Sequence, residues 1–211
     1  MSAIKSQATD MVRKKRDTSV KRESILNAAI DAFIEFGFEK TSMDLIAERA
    51  NSSKRTVYNH FSSKESLIEE AFNRFLKGAF ESQNIEYDPK KSIEDQLGDF
   101  ADSKMRLTED PKQLGLMRVT LCTFITHPQM AERAVLFSDS QEDGLVKWLI
   151  KATHDGQLKV NDPELAAKSF WSLFAGTFFW PPIVRGPVEK KEGQKLKAEF
   201  IQLFLARYRN K

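Results

Sequence analysis

Cysteine occurs once in the 211 residues, at Cys122, so no intramolecular disulfide can form and a reducing compartment suits the chain. Histidine occurs three times, at His60, His127 and His154. With a single thiol and this wide spacing they form no metal-ligand pattern, so no metal and no cofactor is expected. No glycine-rich phosphate loop and no nucleophile elbow is present, so no catalytic residue is nominated and no enzyme is expected. No apolar run is long enough to span a bilayer, and the N-terminus is polar, without the pattern of a secretory leader. The expectation is therefore no membrane partner and a cytoplasmic protein. Internal repeats are absent, and so are runs of strand-type alternation.

What is present is helical spacing between well-placed breaks. The breaks fall at Asp88-Pro89, Asp110-Pro111, His127-Pro128, Gly156, Asp162-Pro163, Pro181-Pro182 and Gly186-Pro187. They predict helices near 22–36, 42–50, 54–61, 63–80, 92–108, 112–125, 129–154, 163–179 and 188–208. The fold class is all-α, with about nine helices. Charge is uneven along the chain. Residues 1–80 hold 14 Lys and Arg against 11 Asp and Glu, and the remainder balances at 19 of each. The basic excess is densest at Arg13, Lys14, Lys15, Arg16, Lys21 and Arg22. Residues 1–20 read as a flexible basic arm that either tracks phosphates or is simply a solvated tail.

Residues 41–61 carry the most information. Thr41 is placed to cap a short helix, with Asp44 as the reciprocal half of a capping box. Met43, Ile46, Ala47 and Ala50 then share one face. Asn51-Ser52 interrupts the pattern, and Asn tolerates the left-handed backbone of a tight turn. Ser53 can cap a second helix, in which Val57 and Phe61 point inward together. The opposite face is centred on Arg55, Thr56 and Asn59, flanked by Lys54, Tyr58 and His60. Ser62-x-x-Glu65 predicts a further helix start, with Lys64 in its first turn, where helix amides and a lysine favour an anion. Two short helices, a polar turn and an outward basic face make a helix-turn-helix, a motif that inserts its second helix into the DNA major groove.

Residues 21–77 resemble the DNA-binding region of the TetR family of bacterial transcription regulators. The resemblance rests on Arg22 to Phe38, on Ile46-Ala47 and Ala50, and on Ser53-Lys-Arg-Thr-Val-Tyr-Asn-His-Phe-Ser-Ser-Lys-Glu-Ser-Leu67. It implies phosphate contacts from Thr41 or Ser42, Lys54, Thr56, Tyr58, His60 and Lys64, and base contacts from Arg55 and Asn59. Two departures stand out. The family's usual Gly-Val turn pair is here Asn51-Ser52, and Arg55 stands where many members carry Gly. The order Arg118-Val, His-Pro-Gln-Met, Asp162-Pro-Glu-Leu-Ala-Ala and Phe179-Trp-Pro resembles the C-terminal domain of AefR-like members. Many of those carry an acid at the position of Thr123.

The resemblance implies a helix-turn-helix DNA-binding domain at 21–67 and a helical effector-binding and dimerisation domain at 68–211. The segments Leu114–Ile125 and Phe170–Trp180 are apolar on nearly every side, which requires cover all round, in part from a partner subunit or a ligand. The Leu196, Phe200, Leu203, Phe204, Tyr208 stripe adds to that surplus, so a homodimer is expected. Phe100, Met105, Leu114, Met117, Leu121, Phe137, Trp148, Trp171 and Phe174 are the candidate wall of a cavity for a small apolar or amphiphilic effector. Close-packed core is the alternative for the same side chains. Arg118, the one charge in its segment, awaits either an acid from another helix or a ligand carboxylate. The expected function is a sequence-specific transcriptional regulator, a repressor released from a palindromic double-stranded operator by that effector. The alternatives are an effector-independent architectural DNA-binding protein, and a carrier or enzyme with a vestigial helix-turn-helix.

Overall fold

The computed structural model describes the backbone of residues 2–139 and 143–210, and the side chains of 18–136 and 143–210. Eleven helices occur among the described residues: α1 Ser2–Lys40, α2 Met43–Arg49, α3 Lys54–His60, α4 Lys64–Ser82, α5 Ile93–Glu109, α6 Pro111–Thr126, α7 Pro128–Asp139, α8 Gly144–His154, α9 Pro163–Phe178, α10 Trp180–Arg185 and α11 Lys190–Tyr208. The only extended pairing among them is one antiparallel bridge, Leu158 with Arg209. The all-α expectation holds. The chain divides into two compact units, one of residues 1–73 with 119–131, the other of 74–118 with 132–211.

Three elements differ from the sequence reading. The segment expected to be a flexible arm has a helical backbone and continues into α1, although the side chains of residues 1–17, including Arg13 to Arg16, lie outside the described residues. α1 is itself interrupted at Gly37, whose φ of 80° turns the last residues away from the helix axis. The span 129–154 is two helices, not one. Asp143 starts α8 by accepting the Leu145 N–H at 2.8 Å. Gly144 is required there, because a Cβ would sit 2.2 Å from the Gln83 carbonyl oxygen. At Pro181-Pro182 the chain does not stop being helical. Both prolines occupy the first turn of α10, where their missing N–H groups cost nothing.

In the first unit Ile25, Leu26, Ala29, Ile30 and Phe33 of α1 are buried with Ile46 and Ala47 of α2, Val57 of α3, and Leu67, Ile68 and Ala71 of α4. The second unit is built on aromatic rings. Phe170 meets Phe174 at 4.7 Å between centroids and Phe204 at 5.3 Å, and Phe174 stacks on Phe178 at 5.8 Å. Gln96, 1 % exposed, wires this core to the loop before α5. Its Oε1 accepts from Trp148 Nε1 and the Asp88 N–H, and its Nε2 donates to the Asp88 and Lys91 carbonyls.

Candidate nucleic-acid interface and small-molecule cleft

The helix-turn-helix is set by local hydrogen bonds. Ser42, not Thr41, caps α2, its hydroxyl accepting from Leu45 N–H at 3.2 Å. Thr41 is 2 % exposed, and its hydroxyl faces the Gly37 and Ala32 carbonyls at 2.7 and 3.2 Å. Its side chain is buried scaffold, so the phosphate contact expected of it is withdrawn. Asn51 takes the left-handed conformation predicted for the turn, with φ 45°. Ser53 caps α3 through Thr56 N–H at 3.1 Å, and the two hydroxyls share a further bond of 2.8 Å. The reciprocal box at the start of α4 is Ser63 with Ser66, not Ser62 with Glu65: each hydroxyl accepts the other's N–H at 3.3 Å.

Val57 and Phe61 are buried as expected, which turns Lys54, Arg55, Tyr58 and Asn59 outward, all four exposed. Thr56 and His60 flank them, half-buried. Ser42 is exposed at the head of α2. Lys54 is ion-paired with Asp44 at 2.6 Å. Lys64 does not stand free in the first turn of α4. Its ammonium donates to the Phe38 and Glu39 carbonyls at 3.1 and 3.3 Å and lies 4.4 Å from the Phe38 ring centroid. That arrangement ties the end of α1 to α4.

Two residues of the basic cluster that precedes the helix-turn-helix are scaffold in the same way. Lys21 donates to the Ala50 and Asn51 carbonyls at 3.3 and 3.0 Å, closing the end of α2. Arg22 pairs with Glu70 at 3.0 Å and covers the Phe61 ring at 4.5 Å. His127 meets Phe38 edge-on at 5.5 Å and lies 3.8 Å from Glu39. Burial pushes the Glu65 carboxyl up, but the Ser63 hydrogen bond, its own backbone N–H, and the charges of Lys64 and His127 outweigh this and hold it below the ordinary glutamate value. Among the described residues no group of His, Cys, Asp or Glu is placed to hold a metal ion, and no helix is long and apolar enough to cross a membrane.

The expected cavity wall is largely solid core. Phe100, Trp148 and Phe174 are sealed, with Phe100 edge-on to Trp148 at 5.8 Å. Rings that interlock edge-to-face fill the space they enclose. Met105, Leu114 and Met117 are buried too, Leu121 is half-buried, and the side chain of Phe137 lies outside the described residues. Among the described residues Arg118 pairs with no acid. It is exposed and donates through Nε and Nη2 to the Ile183 and Pro182 carbonyls, at 2.6 and 3.0 Å.

A cleft of about 760 Å³ opens instead beside α9, between Lys104 of α5, Val146 of α8, and Trp171, Ala175, Phe179 and Trp180. Trp171 is the one residue of the expected wall that lines it. The indole N–H of Trp171 donates to Asp143 Oδ2 at 2.9 Å, and Lys104 Nζ lies 5.3 Å from the Trp171 ring centroid. Burial pushes the Lys104 ammonium below the ordinary lysine value, and the Asp143 carboxylate opposes this only in part. The sequence signal for Lys104 was its position four residues after Phe100, which puts a cation on the stripe that faces the core. Trp180 was visible only as part of an apolar run.

Comparison with known proteins agrees with this geometry. Residues 95–210 match the family described as "AefR-like transcriptional repressor, C-terminal domain", and residues 25–71 match "Bacterial regulatory proteins, tetR family". The chain belongs to the TetR family of transcriptional regulators. A TetR family transcriptional regulator from Pseudomonas syringae pv. tomato is 36% identical, with a TM-score of 0.72 over 89% of this chain and 96% of that one. The flavonoid-responsive regulator FrrA is 26% identical, with a TM-score of 0.71 over 90% of this chain and 98% of that one. The HTH-type transcriptional regulator YhgD of Bacillus subtilis is 29% identical over 75% of this chain and 83% of its own length. TetR regulators bind DNA operators and act as dimers, and these relatives are regulators rather than enzymes.

Proposed function

We propose that this TetR regulator is a repressor that reads a palindromic operator as a homodimer and leaves it when a small amphiphilic effector binds the C-terminal region. Residues 21–67 are assigned to DNA and 68–211 to the effector and the partner subunit. The observation that carries the reading is the outward row of Arg55, Tyr58 and Asn59 on a helix capped at Ser53 and anchored by buried Val57. Arg55 and Asn59 are the base-reading pair. Ser42, Lys54, Thr56, Tyr58 and His60 are the phosphate contacts, with Lys54 exchanging Asp44 for a phosphate. One recognition helix reads few base pairs, and two-fold pairing doubles the site. A DNA partner places the protein in the bacterial cytoplasm.

The surface left for the partner subunit is smaller than the sequence suggested. Of the terminal stripe, Phe204 is buried, and Leu196, Phe200 and Tyr208 pack on the core. Leu165, Val184 and Leu203 remain more than half exposed and form the dimer face. FrrA, by its name a responder to flavonoids, supports an aromatic effector. The test is operator selection from a random duplex library followed by footprinting. Arg55→Ala and Asn59→Ala should each cost about 1–3 kcal/mol at the selected site. Wild-type preference in both variants would remove the assigned reading face. A protein that selects no sequence would favour an architectural role.

A further inference from the structure

We propose that the cleft walled by Trp171, Phe179 and Trp180 is a binding site for a small aromatic anion whose carboxylate or phenolate is held by Lys104. The proposal deepens the effector reading and rests on it for its biological meaning. At about 760 Å³ the cleft has the size of a small-molecule site. Its aromatic walls suit a flat ring. Trp171 is fixed on two sides, by its hydrogen bond to Asp143 and by Phe100, edge-on at 6.3 Å. A wall that is already ordered spares a ligand the cost of ordering it.

Lys104 selects an anion. Among the described residues the cleft is lined by Lys104 and Lys168 as well as Asp143 and Glu164. Asp143 is already engaged, Oδ1 with the Leu145 N–H at 2.8 Å and Oδ2 with the Trp171 N–H. Among the described residues, no hydrogen-bond acceptor is within reach of Lys104 Nζ; its near neighbour is the face of Trp171. A half-buried ammonium with no protein acceptor among the described residues is open to an acceptor from a ligand. A carboxylate or phenolate against it forms a charge-assisted hydrogen bond and opposes the effect of burial on the ammonium. A neutral ring gains the stacking alone.

The experiment uses the full chain with 2-naphthoate and its neutral counterpart 2-naphthamide, followed by tryptophan fluorescence and titration calorimetry. Wild-type protein should bind naphthoate roughly tenfold or more tightly than naphthamide, the value of one charge-assisted hydrogen bond. Lys104→Met, which keeps the alkyl stem, should abolish that preference, and Lys104→Arg should retain it. Circular dichroism of both variants reports that the fold is kept. No naphthoate binding at millimolar concentration, or equal binding to wild type and Lys104→Met, overturns the site. Operator affinity measured on the same samples separates the two ideas. Lys104-dependent naphthoate binding that leaves operator affinity untouched supports the site and removes the effector role. Operator release by a compound indifferent to Lys104→Met supports the effector role and overturns this site.

Discussion

Lys21 and Lys64 each direct a cation at the carboxyl end of a helix, where carbonyl oxygens lack intrahelical partners. Their charge is spent inside the domain, and a variant should report that. Lys64→Ala is expected to cost about 1–2 kcal/mol of stability, read as a lower Tm. The salt dependence of operator binding should stay at its wild-type slope, whereas loss of a phosphate contact would flatten it by about one. Arg55→Ala should behave oppositely, with Tm unchanged and discrimination reduced. Tyr87 offers a test by pH. Its hydroxyl donates to Asp155 Oδ2 at 2.5 Å, and burial, that hydrogen bond and the carboxylate charge push the phenol up to about 12. The folded value lies above the unfolded one near 10, so the contact stabilises fully below about pH 10 and is lost as pH rises through 12. Ultraviolet titration should show a late-ionising tyrosine that Tyr87→Phe removes.

At the scale of elements, the second unit depends on where α8 begins. The Cβ of Gly144→Ala would meet the backbone of Gln83, which no rotamer change relieves. The expected cost is about 1–3 kcal/mol, measured by chemical denaturation. Gln96→Ala strips Trp148 Nε1 and the Asp88 N–H of their acceptor and should cost a similar amount. Such elements show what a sequence conveys. The turn at Asn51, the cap at Ser53 and the start of α9 at Asp162-Pro163 were legible, because each depends on residues within four positions of one another. Ser42 against Thr41, and Ser63 against Ser62, are shifts of one residue that hydrogen bonds decide. The start of α8 at Gly144 was marked by the polar residues before it, but helical spacing on both sides hid it. Which aromatic rings close the core and which line the cleft was not legible. Phe174 and Trp171 lie three apart on one helix, and only neighbouring helices assign one to the interior and the other to the cleft. The destinations of Lys21, Lys64 and Arg118 were hidden for the same reason: their acceptors are backbone carbonyls, and a carbonyl has no residue type to read.

At the scale of the whole molecule, the uncovered apolar side chains of α9 to α11 predict the assembly. Light scattering at micromolar concentration should give twice the chain mass of 24.2 kDa. Leu203→Glu, which lies outside the cleft, should shift the protein toward monomer and weaken operator binding steeply with dilution. An effector should raise Tm by mass action and lower operator affinity over one concentration range, because binding and release are reciprocal. Stabilisation without release means equal affinity for both states. The lone sulfhydryl offers a way to watch that change. Cys122 is exposed on α6, in the segment grouped with the DNA-binding unit. A nitroxide attached there labels each subunit once, with no engineered cysteine and none to remove. Pulsed electron resonance on the dimer would then return one inter-spin distance, and its distribution with operator, with ligand and with neither would count the conformations the regulator occupies.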